Sequence, residues 1–373
     1  MLLADVDTPS LIVDLDVVER NVVDMAAVAA RHGVALRPHA KTHKSREIAA
    51  RQLEAGAVGL TLAKLGEVEA LLDAGLRDDG LRNVLLAYPV VGAAKIDRLL
   101  RLAEQLHITV SFDAVEVAAG IGRAAHARGA SIDVLVEVDS GAGRCGVLPS
   151  RAIDLVRTVE SIAGVRFRGI MTHEGQAYGA TSPDDLRSLS VRAGETMVAV
   201  AEQLRASGIE CPVVSVGSTP SAKLIAAVPG VTEIRPGTYV FQDYNQVRLG
   251  VAAVEACAAS VVATVVARPA PDRAVIDAGT KAVGADRNMI RVDREGFGLV
   301  KGQPAWYFAR ASEEHGVLLR DAELPGDDLG IGQRVEIIPN HICPTVNLYD
   351  TLVAYRGESV EGTVSVHARG RSR

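Results

Sequence analysis

Eight residues, Arg37-Pro38-His39-Ala40-Lys41-Thr42-His43-Lys44, crowd two lysines, two histidines and an arginine into one short stretch. Positive neighbours and partial burial both lower a lysine's pKa and expose a nucleophilic amine able to form a Schiff base. Two later stretches suit an anion. Ser215-Val216-Gly217-Ser218-Thr219-Pro220-Ser221 offers Gly217 for close backbone approach, and Ser218 and Thr219 for hydroxyls and amides. Arg235-Pro236-Gly237-Thr238-Tyr239 can add further amides. A lysine matched to two Gly/Ser/Thr turns fits a phosphate-bearing cofactor attached to that lysine, and pyridoxal 5'-phosphate answers the description. Taken singly, the same stretches also read as a solvated basic loop and ordinary helix caps.

Three more constellations carry chemistry. Asp139-Ser140-Gly141-Ala142-Gly143-Arg144-Cys145-Gly146 is a glycine-held loop that can aim Arg144 at a cofactor oxygen, or simply expose it to water. His341-Ile342-Cys343 follows an expected strand; in extended chain its imidazole and thiolate point the same way and can bind one borderline cation. A buried cysteine beside a hydrogen-bonded histidine gives the same pattern. His173 and Glu174 end another expected strand, where they either face substrate or form a turn.

These groups need a scaffold that brings distant loops to one place. Apolar runs at Ser10–Val13, Leu36–Lys41, Val58–Ala63, Asn83–Tyr88, Thr109–Asp113, Asp133–Asp139, Arg166–His173 and Val213–Val216 alternate with segments of helical period. The pattern predicts an α/β fold, a (β/α)8 TIM barrel over residues 8–247, with catalytic groups at the strand ends. From about residue 248 to 368 helical periodicity fades. Short β-rich pieces divided by Gly and Pro predict a mostly antiparallel β domain, which residues 1–7 are free to join. Residues 369–373 read as a disordered tail.

The chain has 373 residues and 48% hydrophobic content, enough for a large core, but only 3% aromatics, so Ala, Val, Leu and Ile must build it. A net charge of -6 with interspersed signs argues against nucleic acid or an anionic membrane as partner. The apolar runs are too short to span a bilayer, and the first residues do not resemble a signal peptide. Four cysteines far apart, with no CxxC, suit free thiols in a reducing cytoplasm.

Together the motifs resemble the family of D-threonine aldolases and D-serine dehydratases, pyridoxal-phosphate enzymes with an alanine-racemase-like barrel and a β domain (fold type III). The likeness runs from Thr8-Pro9-Ser10 through Arg37–Lys44, Asp139–Gly146, Gly217–Pro220, Arg235–Tyr239, Asp277–Lys281 and Ser312–Gly316 to His341–Asn347. It implies a Schiff base at Lys41 and a phosphate lined by Gly217, Ser218, Thr219, Gly237 and Thr238, with Tyr239 beside them. It implies too that Arg144 bonds the cofactor oxygen, and that His341 and Cys343 hold a divalent metal. Zinc suits that pair best, ahead of manganese or magnesium. Aldolases of the family tend to carry H-x-D at the metal and a histidine at the place of Gln176; H-x-C, as here, goes with the dehydratases. The expected reaction is therefore β-elimination from a small D-3-hydroxy amino acid to a 2-oxo acid and ammonia. Retro-aldol cleavage, with His173 as base, stands close behind, and racemisation further off. A non-catalytic pyridoxal-phosphate homeostasis protein is the rival of another class, and the β domain with its His/Cys pair argues against it. The family also implies a homodimer.

Overall fold

The computed structural model of the chain describes residues 1–291 and 294–373 and divides into two units. One comprises Val23–Gly237 with Gly370–Arg373; the other, Met1–Val22 with Thr238–Arg369. The first strand, β1 (Ser10–Asp14), corrects the expected barrel count, because it lies in the second unit. It pairs antiparallel with a strand starting at Ala259 and parallel with one starting at Thr351. Its three buried apolar residues suit either sheet; only long-range pairing decides which one takes them.

The barrel strands are β2 (Ala35–Leu36), β3 (Leu60–Leu62), β4 (Asn83–Leu86), β5 (His107–Phe112), β6 (Ile132–Glu137), β7 (Val165–Met171), β8 (Val213–Val216) and β9 (Glu233–Ile234). They run parallel in the order β2-β9-β8-β7-β6-β5-β4-β3. The two edges meet at a parallel bridge between His39 and Thr61: Thr61 N–H donates to the Pro38 carbonyl at 2.8 Å, and Ala40 N–H to the Thr61 carbonyl at 2.9 Å. The eighth strand is thus Glu233–Ile234, two residues too short to register as an apolar run. Recounted, the Gly217–Ser221 and Arg235–Gly237 turns follow the seventh and eighth barrel strands, where this architecture commonly binds phosphate. Leu85, Leu135 and Met171 fill the barrel interior between its ends. The chain end is placed rather than loose, with Gly66 N–H donating to the Arg373 carbonyl at 2.8 Å.

In the second unit, β10 (Ala259–Ala270) and β11 (Arg273–Ile276) are followed by β12 (Asn288–Arg291), β13 (Arg294–Gly296), β14 (Gly298–Val300) and β15 (Trp306–Ala311). After them come β16 (Gly316–Arg320), β17 (Arg334–Pro339), β18 (Thr351–Arg356) and β19 (Ser359–Ser365). The main sheet runs β15-β16-β11-β10-β1-β18-β19, with β17 bridging β10 and β14. Its pairings are antiparallel except β1 with β18. Val6, Ile12, Val262 and Tyr355 form one buried cluster there.

Candidate functional site

At the C-terminal end of the barrel strands, Lys41 stands in the turn that follows β2. The turn is held by neutral histidine chemistry. His43 is fully buried; its Nδ1 accepts the Ser45 N–H at 3.1 Å, so Nε2 carries the proton and donates to Gln52 Oε1 at 3.2 Å. Burial pushes His43 down to about 4 against those two bonds. His39 Nδ1 accepts the Lys41 N–H at 3.3 Å, and His39 is held well below the ordinary imidazole value by burial, then by Lys41, Arg235, His173 and His43.

His173 follows β7 in the same electropositive region. Burial first, then Lys41 and Arg144, push it down to about 3. Its Nδ1 lies 3.3 Å from the Gly217 carbonyl. A carbonyl only accepts, so that bond places the imidazole proton on Nδ1 and leaves Nε2 as the lone pair. Arg235, buried, donates from Nη1 to Ser215 Oγ and from Nη2 to the Thr172 carbonyl. Five groups able to carry positive charge (His39, Lys41, Arg144, His173 and Arg235) thus act on one another here. They favour an anionic occupant and suppress protonation of their own histidines.

The two turns expected at a phosphate are brought together by missing side chains. A Cβ on Gly217 would lie 2.4 Å from the Arg235 nitrogen, and one on Gly237 would lie 3.1 Å from the His39 carbonyl and from Thr42 Oγ1. Gly217 serves by close approach, since its own N–H donates to Glu174 Oε2 at 3.0 Å. Glu174 is fully buried and also accepts from Ser221 Oγ, which pairs with Ser218 Oγ at 2.7 Å. Sequence reasoning left Glu174 between substrate and turn; its bonds to the Gly217 N–H and Ser221 Oγ make it the brace of this turn. Arg144 extends from its loop, with Nη2 3.9 Å from the buried Glu137 carboxylate, which burial raises against Arg144 and Arg235. Asp139 Oδ1 shapes that loop by accepting the N–H groups of Gly141 and Gly143 at 2.9 and 3.1 Å, and Gly143 sits at φ +64°. Gln176 Nε2 donates to the Ser140 carbonyl at 3.0 Å, which fixes the amide's orientation.

The second unit holds the His/Cys pair. His341 caps a short helix (Ile342–Val346), so Cys343 lies in a first helical turn and not in the extended chain expected; the two side chains still hydrogen-bond. Burial opposes charge on His341, but Cys343, Asp243 and Asp286 outweigh it and push the imidazole up to about 9. His341 Nδ1 is 3.0 Å from Asp286 Oδ2, a carboxylate contact of the kind that orients metal-binding histidines in general. Thr238 Oγ1 lies 3.8 Å from the Cys343 sulfur, which places Thr238 beside this pair. Buried Asp243 accepts the Ile342 N–H at 3.1 Å and is pushed up to about 6 by burial. One imidazole nitrogen and one sulfur side by side fit a borderline divalent cation with positions left open. Among the described residues no group of three or more His, Cys, Asp or Glu is placed to hold a metal ion together.

A closed parallel barrel with a lysine at its mouth and two Gly-containing turns after its last strands, together with a second, β-rich unit, define an alanine-racemase-like protein. Residues 13–245 match the family described as alanine racemase, N-terminal domain, and residues 258–355 match the putative serine dehydratase domain. The chain is 35% identical to the D-threo-3-hydroxyaspartate dehydratase of Delftia sp. (strain HT23), over 98% of each chain. The crystal structure of D-threonine aldolase from Filomicrobium marinum superposes with a TM-score of 0.89 at 37% identity, covering 100% of this chain and 98% of that one. A cysteine-to-alanine mutant of D-threo-3-hydroxyaspartate dehydratase in its metal-free form gives 0.88 at 35% identity, covering 98% of both. The chain belongs to the family of D-threonine aldolases and D-serine dehydratases, and is a lyase.

Proposed function

We propose that the protein is a pyridoxal-phosphate and metal-dependent lyase of D-3-hydroxy amino acids whose preferred reaction is β-elimination to a 2-oxo acid and ammonia. Lys41 would hold pyridoxal phosphate through Nζ, Ser218, Thr219 and the Gly237-Thr238-Tyr239 turn its phosphate, and Arg144 its ring oxygen. His341 and Cys343 would hold a divalent metal, zinc by the softness of the sulfur. When bound, the cofactor withdraws electrons from the substrate's α-carbon and the metal polarises its β-hydroxyl.

The observation that carries elimination over retro-aldol cleavage is the state of the available bases. Cleavage needs a base to take the hydroxyl proton. Gln176 is a neutral amide committed to the Ser140 carbonyl, and His173, pushed down to about 3, is a weak acceptor. Elimination needs a base only for the α-proton, which Lys41 Nζ would take once the substrate's amine has displaced it from the cofactor. Retro-aldol cleavage remains the second reading, because the His173 lone pair on Nε2 is unprotonated and an aldolase is among the similar structures.

The test is to incubate the protein with D-serine, D-threonine and D-threo-3-hydroxyaspartate and assay ammonia, 2-oxo acid, glycine and aldehyde separately. Ammonia with 2-oxo acid supports elimination; glycine with aldehyde and no ammonia overturns it. A homodimer in the cytoplasm belongs to the same proposal. None of the four cysteines forms a disulfide, and no described helix is long and apolar enough to cross a membrane. An active monomer in sedimentation would refute the dimer.

A further inference from the structure

The mouth of the barrel is wired to its opposite end. A cavity of about 180 Å³ opens at the N-terminal ends of the strands, lined among others by Arg37, Asn83, Asp133, Arg168 and Glu233. Glu233 there is buried and accepts from Arg37 Nε at 2.7 Å, while Arg37 Nη1 donates to Asn83 Oδ1 at 2.7 Å. The other Glu233 oxygen accepts from Ser215 Oγ, and the same hydroxyl oxygen accepts from Arg235 Nη1. Ser215 is fully buried and Arg235 nearly so. One carboxylate therefore serves two arginines, half-buried Arg37 directly and buried Arg235 through a hydroxyl that can donate and accept at once. Glu233 opens β9 and Arg235 directly follows it, its N–H still paired with the Val216 carbonyl at 2.9 Å, so residues two apart in extended chain point the same way, the acid towards one end of the barrel and the cation towards the other.

We infer that Glu233, acting through Ser215, is a positioning residue for Arg235. It fixes the guanidinium at the base of the lysine's pocket, where its charge is felt at His39 and His173. A barrel bottom ordinarily contributes stability alone. Here the bottom carboxylate also sets the electrostatics that the cofactor meets, an inference that rests on the cofactor proposed at Lys41.

The experiment uses the full-length protein loaded with pyridoxal phosphate. It compares Ser215→Ala, which breaks the bridge but keeps both charges, with Glu233→Gln and with Arg168→Met. Arg168 lines the same cavity but faces Asp133 at 3.7 Å, so it is the control. The readouts are the cofactor's dissociation constant and the pH midpoint of its visible absorption band. Ser215→Ala and Glu233→Gln are expected to weaken the cofactor about tenfold, the scale of one charge-assisted hydrogen bond, and to move the midpoint, with Arg168→Met unchanged. A folded Ser215→Ala protein with wild-type affinity and midpoint overturns the inference, as does an equal shift in Arg168→Met. Should Glu233→Gln fail to fold, Ser215→Ala decides alone. A wild-type protein that shows no band removes the cofactor reading and this inference with it; a wild-type band beside an unmoved Ser215→Ala removes only the inference.

Discussion

His43 gives the turn that carries Lys41 an acid sensitivity that can be worked out from the structure. The side chain is fully buried, accepts the Ser45 N–H, donates to Gln52, and is pushed down to about 4 from an ordinary 6.5. In the unfolded chain His43 takes up its proton as pH falls through 6.5; in the folded chain it resists until about 4. Between those values the unfolded state binds more protons, so stability rises with pH and is lost as pH falls across that window. At about 1.4 kcal/mol per pH unit, the loss reaches about 2.5 kcal/mol between pH 7.5 and 4.5. His43→Gln removes the titration while keeping a polar side chain. Urea unfolding followed by circular dichroism should therefore show the wild type losing about 2.5 kcal/mol more than the variant over that range. The other titrating groups are common to the two proteins and cancel in the difference, apart from His39, on which His43 is the smallest of five influences. Parallel pH profiles, within about 0.5 kcal/mol, would refute the assignment of a buried neutral imidazole at this turn.

Gly217→Ala places a Cβ 2.4 Å from the Arg235 nitrogen and 2.7 Å from its Cα, both backbone atoms. It should cost about 2 kcal/mol in urea unfolding and weaken pyridoxal phosphate; an unchanged protein would show that the two turns need no close approach. Lys41→Ala should abolish the visible band of the loaded protein, and a band that persists places the cofactor elsewhere. Replacing Cys343 with alanine should lower zinc retained after dialysis, measured by elemental analysis, while the Lys41 band stays; full zinc retention would remove the sulfur from the ligand set. A chelator should abolish lyase activity and likewise leave the band, and activity surviving complete metal removal contradicts the metal's role.

What the sequence determined by itself was element type and a set of candidate groups. Lys41, Arg144, the Gly217–Thr219 turn and the His341/Cys343 pair stand out as candidates because each rests on residue kinds within a few positions. Seven of the barrel strands were legible as apolar runs at regular intervals. What the sequence could not decide was partnership over long range. Ser10–Asp14 has an apolar pattern that fits either sheet, and it went to the β unit through pairing with residues about 250 and 340 positions away. Glu233–Ile234, the strand that completes the barrel, is too short to carry a period; its neighbours in space define it. Glu174 reads in the sequence as facing substrate or forming a turn, and nothing there marks Glu233. Their parts, bracing the Gly217 turn and holding Arg37 with Ser215, follow from burial, because a carboxylate taken out of water must find its donors in whatever the fold brings beside it.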